Sequence, residues 1–204
     1  LTGLLDPRLI SVKEFSELNS KLEKNKIIIY PQLKNFFKKK YYPNFNISYP
    51  LSMPKHLIPR QFNENLNKIK NNLKTEGILI WSNSHVAYLL NLRSFELWNS
   101  TKPFAGLFIP KKNFKPVLIS NNLNLNKISK ISSNFNIFKE EKFIQFLKLS
   151  KIKNIETSYE FLNLNLYMRL SKFLNLSETR IHISKYLGIK TSKEIKNIET
   201  CHIE

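Results

Sequence analysis

The sequence predicts an α/β fold, a mixed β-sheet flanked by helices, and three observations predict it. Short apolar runs alternate along the chain with stretches whose apolar residues recur at helical spacing. One of these runs, Ile78 to Trp81, is apolar at every position, the pattern of a strand covered on both faces. Two further runs, Phe104 to Ile109 and Pro116 to Ser120, flank Pro110-Lys111-Lys112-Asn113 as the arms of a hairpin flank its turn.

Taken in order, the chain opens with a turn at Asp6-Pro7 that leads into Ser11. Ser11-Val12-Lys13-Glu14 is a capping box, in which serine and glutamate oxygens satisfy amide donors at a helix start. Phe15, Leu18 and Leu22 continue that helix, and Ile27 to Tyr30 form a strand. From Pro31 to Pro59 the prolines at 43, 50, 54 and 59 fix φ and remove amide donors, which argues against long regular structure. Within this stretch, lysines and aromatics interleave from Lys34 to Pro43, and Leu33, Phe36 and Phe37 mark a short amphipathic helix before a linker.

Phe62, Leu66, Ile69 and Leu73 recur at helical spacing, with Gly77 expected to close their helix as a C-cap. After the strand at Ile78, the oxygens of Ser82, Asn83 and Ser84 suit the start of a helix carrying Val86, Leu89 and Leu90. Asn91, Leu92 and Arg93 leave that helix into a loop ending at Pro103. Beyond the hairpin come a helix around Leu125 and Ile128, a strand at Phe135 to Phe138 and a helix with Phe143, Phe146 and Leu147. Ile152 and Ile155 mark another strand, and Thr157-Ser158-Tyr159-Glu160 reads as a second capping box opening a helix with Phe161, Leu164, Met168 and Leu174. Thr191 and Glu194 form a third box at the start of the last helix.

Composition narrows the function. The 204 residues suffice for one large or two small domains, and 42% hydrophobic with 24% charged residues is ordinary for a globular protein. The formal net charge of +18 is not ordinary. It would suit nucleic acid or an anionic membrane. The basic residues are nearly all lysine, however, with arginine only at 8, 60, 93, 169 and 180. Arginine is the usual reader of base edges. Lysine, asparagine, isoleucine and phenylalanine are over-used together, as in A/T-rich coding, so nucleic acid is not the expected partner. Cys201 is the only cysteine, which rules out an intrachain disulfide and fits a reducing, cytoplasmic setting. No apolar run approaches the roughly 20 residues of a membrane span. Leu1 is not an initiator methionine and Glu204 falls inside a helical pattern, so the chain is expected to be a fragment cut at both ends.

Three segments together carry a resemblance. Ser84 to Arg93, SHVAYLLNLR, keeps Val86, Ala87, Leu89, Leu90, Asn91, Leu92 and Arg93 in register with a segment of the middle domain of aminopeptidase P, the Xaa-Pro aminopeptidase of the creatinase/pita-bread metallopeptidase family. It departs from that pattern at Ser84, at Tyr88 for a tryptophan and at Ser94 for a glycine. Asp6, Pro7, Leu9 and Ser11 are similar to a passage near the end of that enzyme's first domain, and Lys190 to Ile203 resembles the helix that opens its catalytic domain. The resemblance implies a creatinase-type N-terminal domain, with residues 1–42 ending a first domain, 43–59 a Pro-rich linker, 60–183 the middle α/β domain and 184–204 the truncated start of the pita-bread domain. For the intact protein it implies removal of the N-terminal residue from peptides with proline in second position. It also implies a homodimer and two divalent metal ions, usually manganese, that activate a water.

The chemistry of that site cannot be assembled from these residues. Two hard divalent cations need several carboxylate ligands, and Asp6 is the single aspartate. The four histidines, at 56, 85, 182 and 202, are far apart in sequence, and the glycines at 3, 77, 106 and 188 form no phosphate-binding loop. No catalytic or metal-binding residue is therefore expected here. Cys201, on a helix face beside Ile198, reads as a buried apolar residue. Asn91 and Arg93 are the candidate site residues. As an arginine after an apolar helix, Arg93 can hold a carboxylate across a domain or subunit boundary, or pair locally with Glu96. The expected function is thus the non-catalytic N-terminal region of an Xaa-Pro aminopeptidase. The alternatives are a creatinase or Xaa-Pro dipeptidase relative, or a basic nucleic-acid-binding module.

Overall fold

The computed structural model describes residues 2–33, 51–52, 62–95, 100–112, 114–121 and 135–203, with the side chains of 186, 187 and 201–203 excepted. The expected helix around Leu125, the lysine-aromatic run from 34 and all of the Pro-rich linker but Leu51–Ser52 lie outside these residues.

A six-stranded mixed sheet organises the chain. Its strands are β4 (Gly77–Ile80), β6 (Gly106–Pro110), β7 (Val117–Ile119), β8 (Asn136–Phe138), β9 (Asn154–Thr157) and β10 (Asn175–Glu178), in the order β10-β9-β4-β6-β7-β8. β9 runs parallel to both β10 and β4, β6 is antiparallel to β4 and β7, and β8 is parallel to β7. Among the described residues two small sheets accompany it: β1 (Thr2–Leu5) parallel to β2 (Ile28–Pro31), and β3 (Leu51–Ser52) antiparallel to β5 (Leu92–Arg93).

The two-residue period of a strand explains why the central runs are apolar throughout. Ile78 and Ile80 of β4 and Leu107 and Ile109 of β6 enter one core with Val86 and Leu89. Leu79 and Phe108 point to the opposite face and join Phe143, Leu147, Leu166 and Leu170. Helices α2 (Phe62–Asn72) and α3 (Asn83–Leu90) cover the first face, and α4 (Glu140–Leu149) and α5 (Leu164–Leu170) the second.

The first helix, α1 (Val12–Glu23), starts on the expected capping box. Ser11 Oγ accepts from the Glu14 amide at 3.2 Å, and the Glu14 carboxylate accepts from the Ser11 amide at 2.9 Å. Its start is tied to the larger sheet's body by backbone bonds, from Val12 to the Leu162 carbonyl at 3.0 Å and from Leu164 to that of Ile10 at 2.9 Å. Asp6 is held by Arg8, whose guanidinium keeps its carboxyl below the usual range. The box at the other end is also present. Thr191 and Glu194 exchange amide bonds of 2.7 and 3.2 Å at the start of α7 (Ser192–Ile203), which follows α6 (Ile183–Gly188).

Four expectations are corrected. Gly77 is not a C-cap: no glycine among the described residues has positive φ, and Gly77 begins β4 under the Phe108 ring. Thr157 opens no helix; it ends β9, and its buried hydroxyl donates to the Leu79 carbonyl at 2.8 Å. The helix expected there begins later, capped by Asn163, whose Oδ1 accepts from the Leu166 amide at 2.8 Å. Ser82 stands at the N-cap of α3 but its side chain makes no capping bond. The short elements β1, β10 and α6 lack a clear sequence signal, and β10 is mostly polar and exposed.

Candidate functional site

The two candidate residues sit at the carboxyl end of α3. This helix follows directly from β4, and its buried positions Val86, Ala87, Leu89 and Leu90 fix it on the sheet. Asn91 ends it in the left-handed region, with φ 51° and ψ 38°. Asparagine tolerates that conformation better than other residues with a Cβ. The reversed backbone then sends Leu92 and Arg93 into β5, where Arg93 lies opposite Leu51.

Arg93 is half-buried, and its guanidinium returns to the helix it has just left. Nη1 donates to the Leu92 carbonyl at 2.9 Å and more weakly to that of Ala87 at 3.4 Å. Only the Ala87 carbonyl belongs to α3, and a cation is favoured beside it because the last carbonyls of a helix carry partial negative charge; the shorter bond is to the neighbouring residue in β5. Burial lowers the Arg93 pKa from its usual value, and no described carboxylate pairs with it. Glu96, the local partner considered from sequence, lies outside the described residues. Among the described residues, only Nη1 of the five-donor guanidinium is engaged. Beside it, the Ser94 hydroxyl is fully buried with no hydrogen-bond partner among the described residues, while the Ser94 amide donates to the Thr101 carbonyl at 2.8 Å.

The amino end of α3 faces a small cavity of about 120 Å³ at the carboxyl ends of β4, β9 and β10. His85 is buried there, its Nε2 lying 3.3 Å from Ser184 Oγ at the start of α6. The imidazole packs edge-on against Phe161 with ring centres 5.1 Å apart. Burial pushes its pKa down, and the Glu160 charge opposes that shift. Through its contact with Ser184, His85 joins α3 to the segment leading into the last helix. Sequence could not show this, because Ser184 is 99 positions away.

His182, in turn, is exposed at the start of α6, and the other two histidines have no described side chain. Among the described residues no three His, Cys, Asp or Glu side chains gather as metal ligands would. These residues therefore do not fit a di-metal centre. No described helix is long and apolar enough to cross a membrane.

No family model and no curated protein matches the chain. Solved structures do. The X-prolyl aminopeptidase from Caenorhabditis elegans, a cytosolic enzyme with a di-nuclear active site, aligns with a TM-score of 0.75 over 96% of this chain at 13% identity. This chain spans 34% of that enzyme's length. The creatinase/prolidase N-terminal domain of an X-Pro dipeptidase from Streptococcus pyogenes aligns over 57% of this chain and 100% of its own, at 19% identity and a TM-score of 0.44. The prolidase from Pyrococcus horikoshii OT3 aligns over 69% of this chain and 39% of its own, at 20% identity and a TM-score of 0.46. What the chain shares with the first of these is its fold.

Proposed function

We propose that this chain is the non-catalytic N-terminal region of an Xaa-Pro aminopeptidase-type metallopeptidase. The observation that carries the reading is the likeness in fold to the C. elegans enzyme along 96% of this chain but only 34% of that one. The three sequence segments around Asp6, Asn91 and Glu194 favour the same enzyme. In this reading the intact protein is a cytoplasmic homodimer that removes the residue preceding a proline. Its two divalent ions, manganese here, are held by residues outside those described.

The role left to this chain is positional. Arg93 is anchored through Nη1 on the Leu92 carbonyl and more weakly on that of Ala87, which leaves its other donors without a partner among the described residues. We assign Asn91 and Arg93 to a contact with a carboxylate or carbonyl of the catalytic domain or of the second subunit, since arginine's planar fork suits such a contact.

The test compares this chain alone with the contiguous protein that includes its downstream sequence. With Mn2+ and an Xaa-Pro peptide, the contiguous protein should release the first residue and the isolated chain should not. Arg93→Ala in the contiguous protein should lower kcat/KM or dissociate the dimer, and Arg93→Lys should not restore it. Hydrolysis by the isolated chain, or an inert contiguous protein, refutes the reading.

A further inference from the structure

A groove of about 1240 Å³ runs between the amino ends of β4 and β9 and the carboxyl end of α4. Its apolar floor is aromatic. Phe146 receives Phe114 edge-on at 5.3 Å and Phe138 tilted at 5.7 Å. At its lip stands Leu149, 88% exposed, the most exposed large apolar side chain among the described residues. Its rim is cationic: Lys74, Lys112, Lys142 and Lys151 all line it, and no described carboxylate pairs with any of them.

The one carboxylate in the lining is already engaged. Glu76 accepts from the Lys153 and Asn154 amides at 2.8 and 2.9 Å, and these bonds hold its carboxyl below the usual range. Lys111 is engaged as well, donating to the Leu73 carbonyl at 2.6 Å. The groove therefore offers apolar surface surrounded by uncompensated positive charge, on a chain whose formal net charge is +18. Contiguous exposed apolar surface with a polar rim marks a binding site.

The geometry points to an acidic, amphipathic peptide segment of a partner protein as the occupant. Its leucine- or phenylalanine-type side chains would seat on the exposed Phe114 and Leu149, and its Asp or Glu side chains would meet the four lysines. The rings decide between peptide and single-stranded nucleic acid. Base stacking needs free aromatic faces. Here the Lys142 ammonium sits 4.8 Å over the Phe138 ring, Phe146 is occupied by its two neighbours, and the most exposed anchor is aliphatic. A second copy of this chain fails on charge, since both partners would carry +18. Neither Asn91 nor Arg93 lines the groove, so this inference stands apart from the proposed peptidase role.

Fluorescence anisotropy on the full chain tests it with four labelled probes: a short peptide alternating glutamate and leucine, its glutamine-for-glutamate analogue, an all-glutamate peptide of equal length and an oligo(dT). The alternating peptide should bind about tenfold or more tightly than the other three. Leu149→Ser and Lys142→Glu, each at an exposed position, should each weaken it by about tenfold. Superimposable melting curves establish that both variants fold. Equal binding of the all-glutamate peptide or oligo(dT), indifference to Leu149→Ser, or no binding of the alternating peptide overturns the proposal.

Discussion

Gly77→Ala tests the packing argument that replaces the expected C-cap. A Cβ on residue 77 would stand 2.7 and 2.8 Å from two carbons of the Phe108 ring and 3.0 Å from the Ile109 carbonyl oxygen. The ring has little room to yield, being fully buried and tilted against Phe143 with centres 5.6 Å apart. Replacing glycine by alanine within a strand should by itself gain about 0.5–1 kcal/mol from lost unfolded-state freedom. Forcing a methyl group into a packed core costs about 1–3 kcal/mol. Overpacking wins, and the net loss should be about 1–2 kcal/mol, a fall in Tm of roughly 2–8 °C for a chain of this size. Urea unfolding followed by circular dichroism measures it, with an unchanged m-value confirming a pure stability change. In a Phe108→Leu background the smaller side chain makes room, so Gly77→Ala should cost about 1 kcal/mol less there. A Gly77→Ala protein as stable as wild type, or an equal loss in both backgrounds, refutes the reasoning.

Two further perturbations address the ends of α3. Asn91→Ala should be less stable than Asn91→Gly by about 1 kcal/mol, because at φ 51° only the former carries a Cβ without asparagine's tolerance of that region; equal urea midpoints would contradict it. His85 has a folded pKa below its ordinary 6.5, so the unfolded chain takes up the proton first as pH falls. Its contribution is therefore fully present above pH 6.5 and is lost as pH drops toward the lower folded value. Stability measured from pH 7.5 downward should decline more steeply for wild type than for His85→Gln, and parallel curves would sink the assignment.

The elements legible in the sequence are those whose signal is local. The apolar runs of β4 and β6, the hairpin that joins β6 to β7, and the boxes at Ser11 and Thr191 each depend on neighbours within a few residues. The failures depend on partners far along the chain. Thr157-Ser158-Tyr159-Glu160 has the same letters as a working capping box, yet Thr157 lies within a strand and bonds Leu79, 78 positions away. Gly77 satisfies the pattern of a helix terminator, but it is glycine because Phe108 on the neighbouring strand fills the space a Cβ would need. No window short enough to read periodicity contains both residues of either pair.

The same distinction governs the candidate site. Arg93 stands out by its place after an apolar helix, which is local information, and Asn91 by the segment of family resemblance that it shares with Arg93. Their geometry was not legible, because it depends on how the chain reverses at Asn91 and on which carbonyls the guanidinium finds. Once folded, Arg93 sets its charge on local backbone through Nη1 alone, on the Leu92 carbonyl and more weakly on the Ala87 carbonyl of α3. A lysine could supply that charge but not the fixed second edge of the fork. Arg93→Lys therefore separates the two roles. Unfolding stability should be largely kept, since the ammonium still faces the helix carbonyls. A contact made through the remaining donors should be lost, and an intact contact in Arg93→Lys would leave the arginine with only its local role.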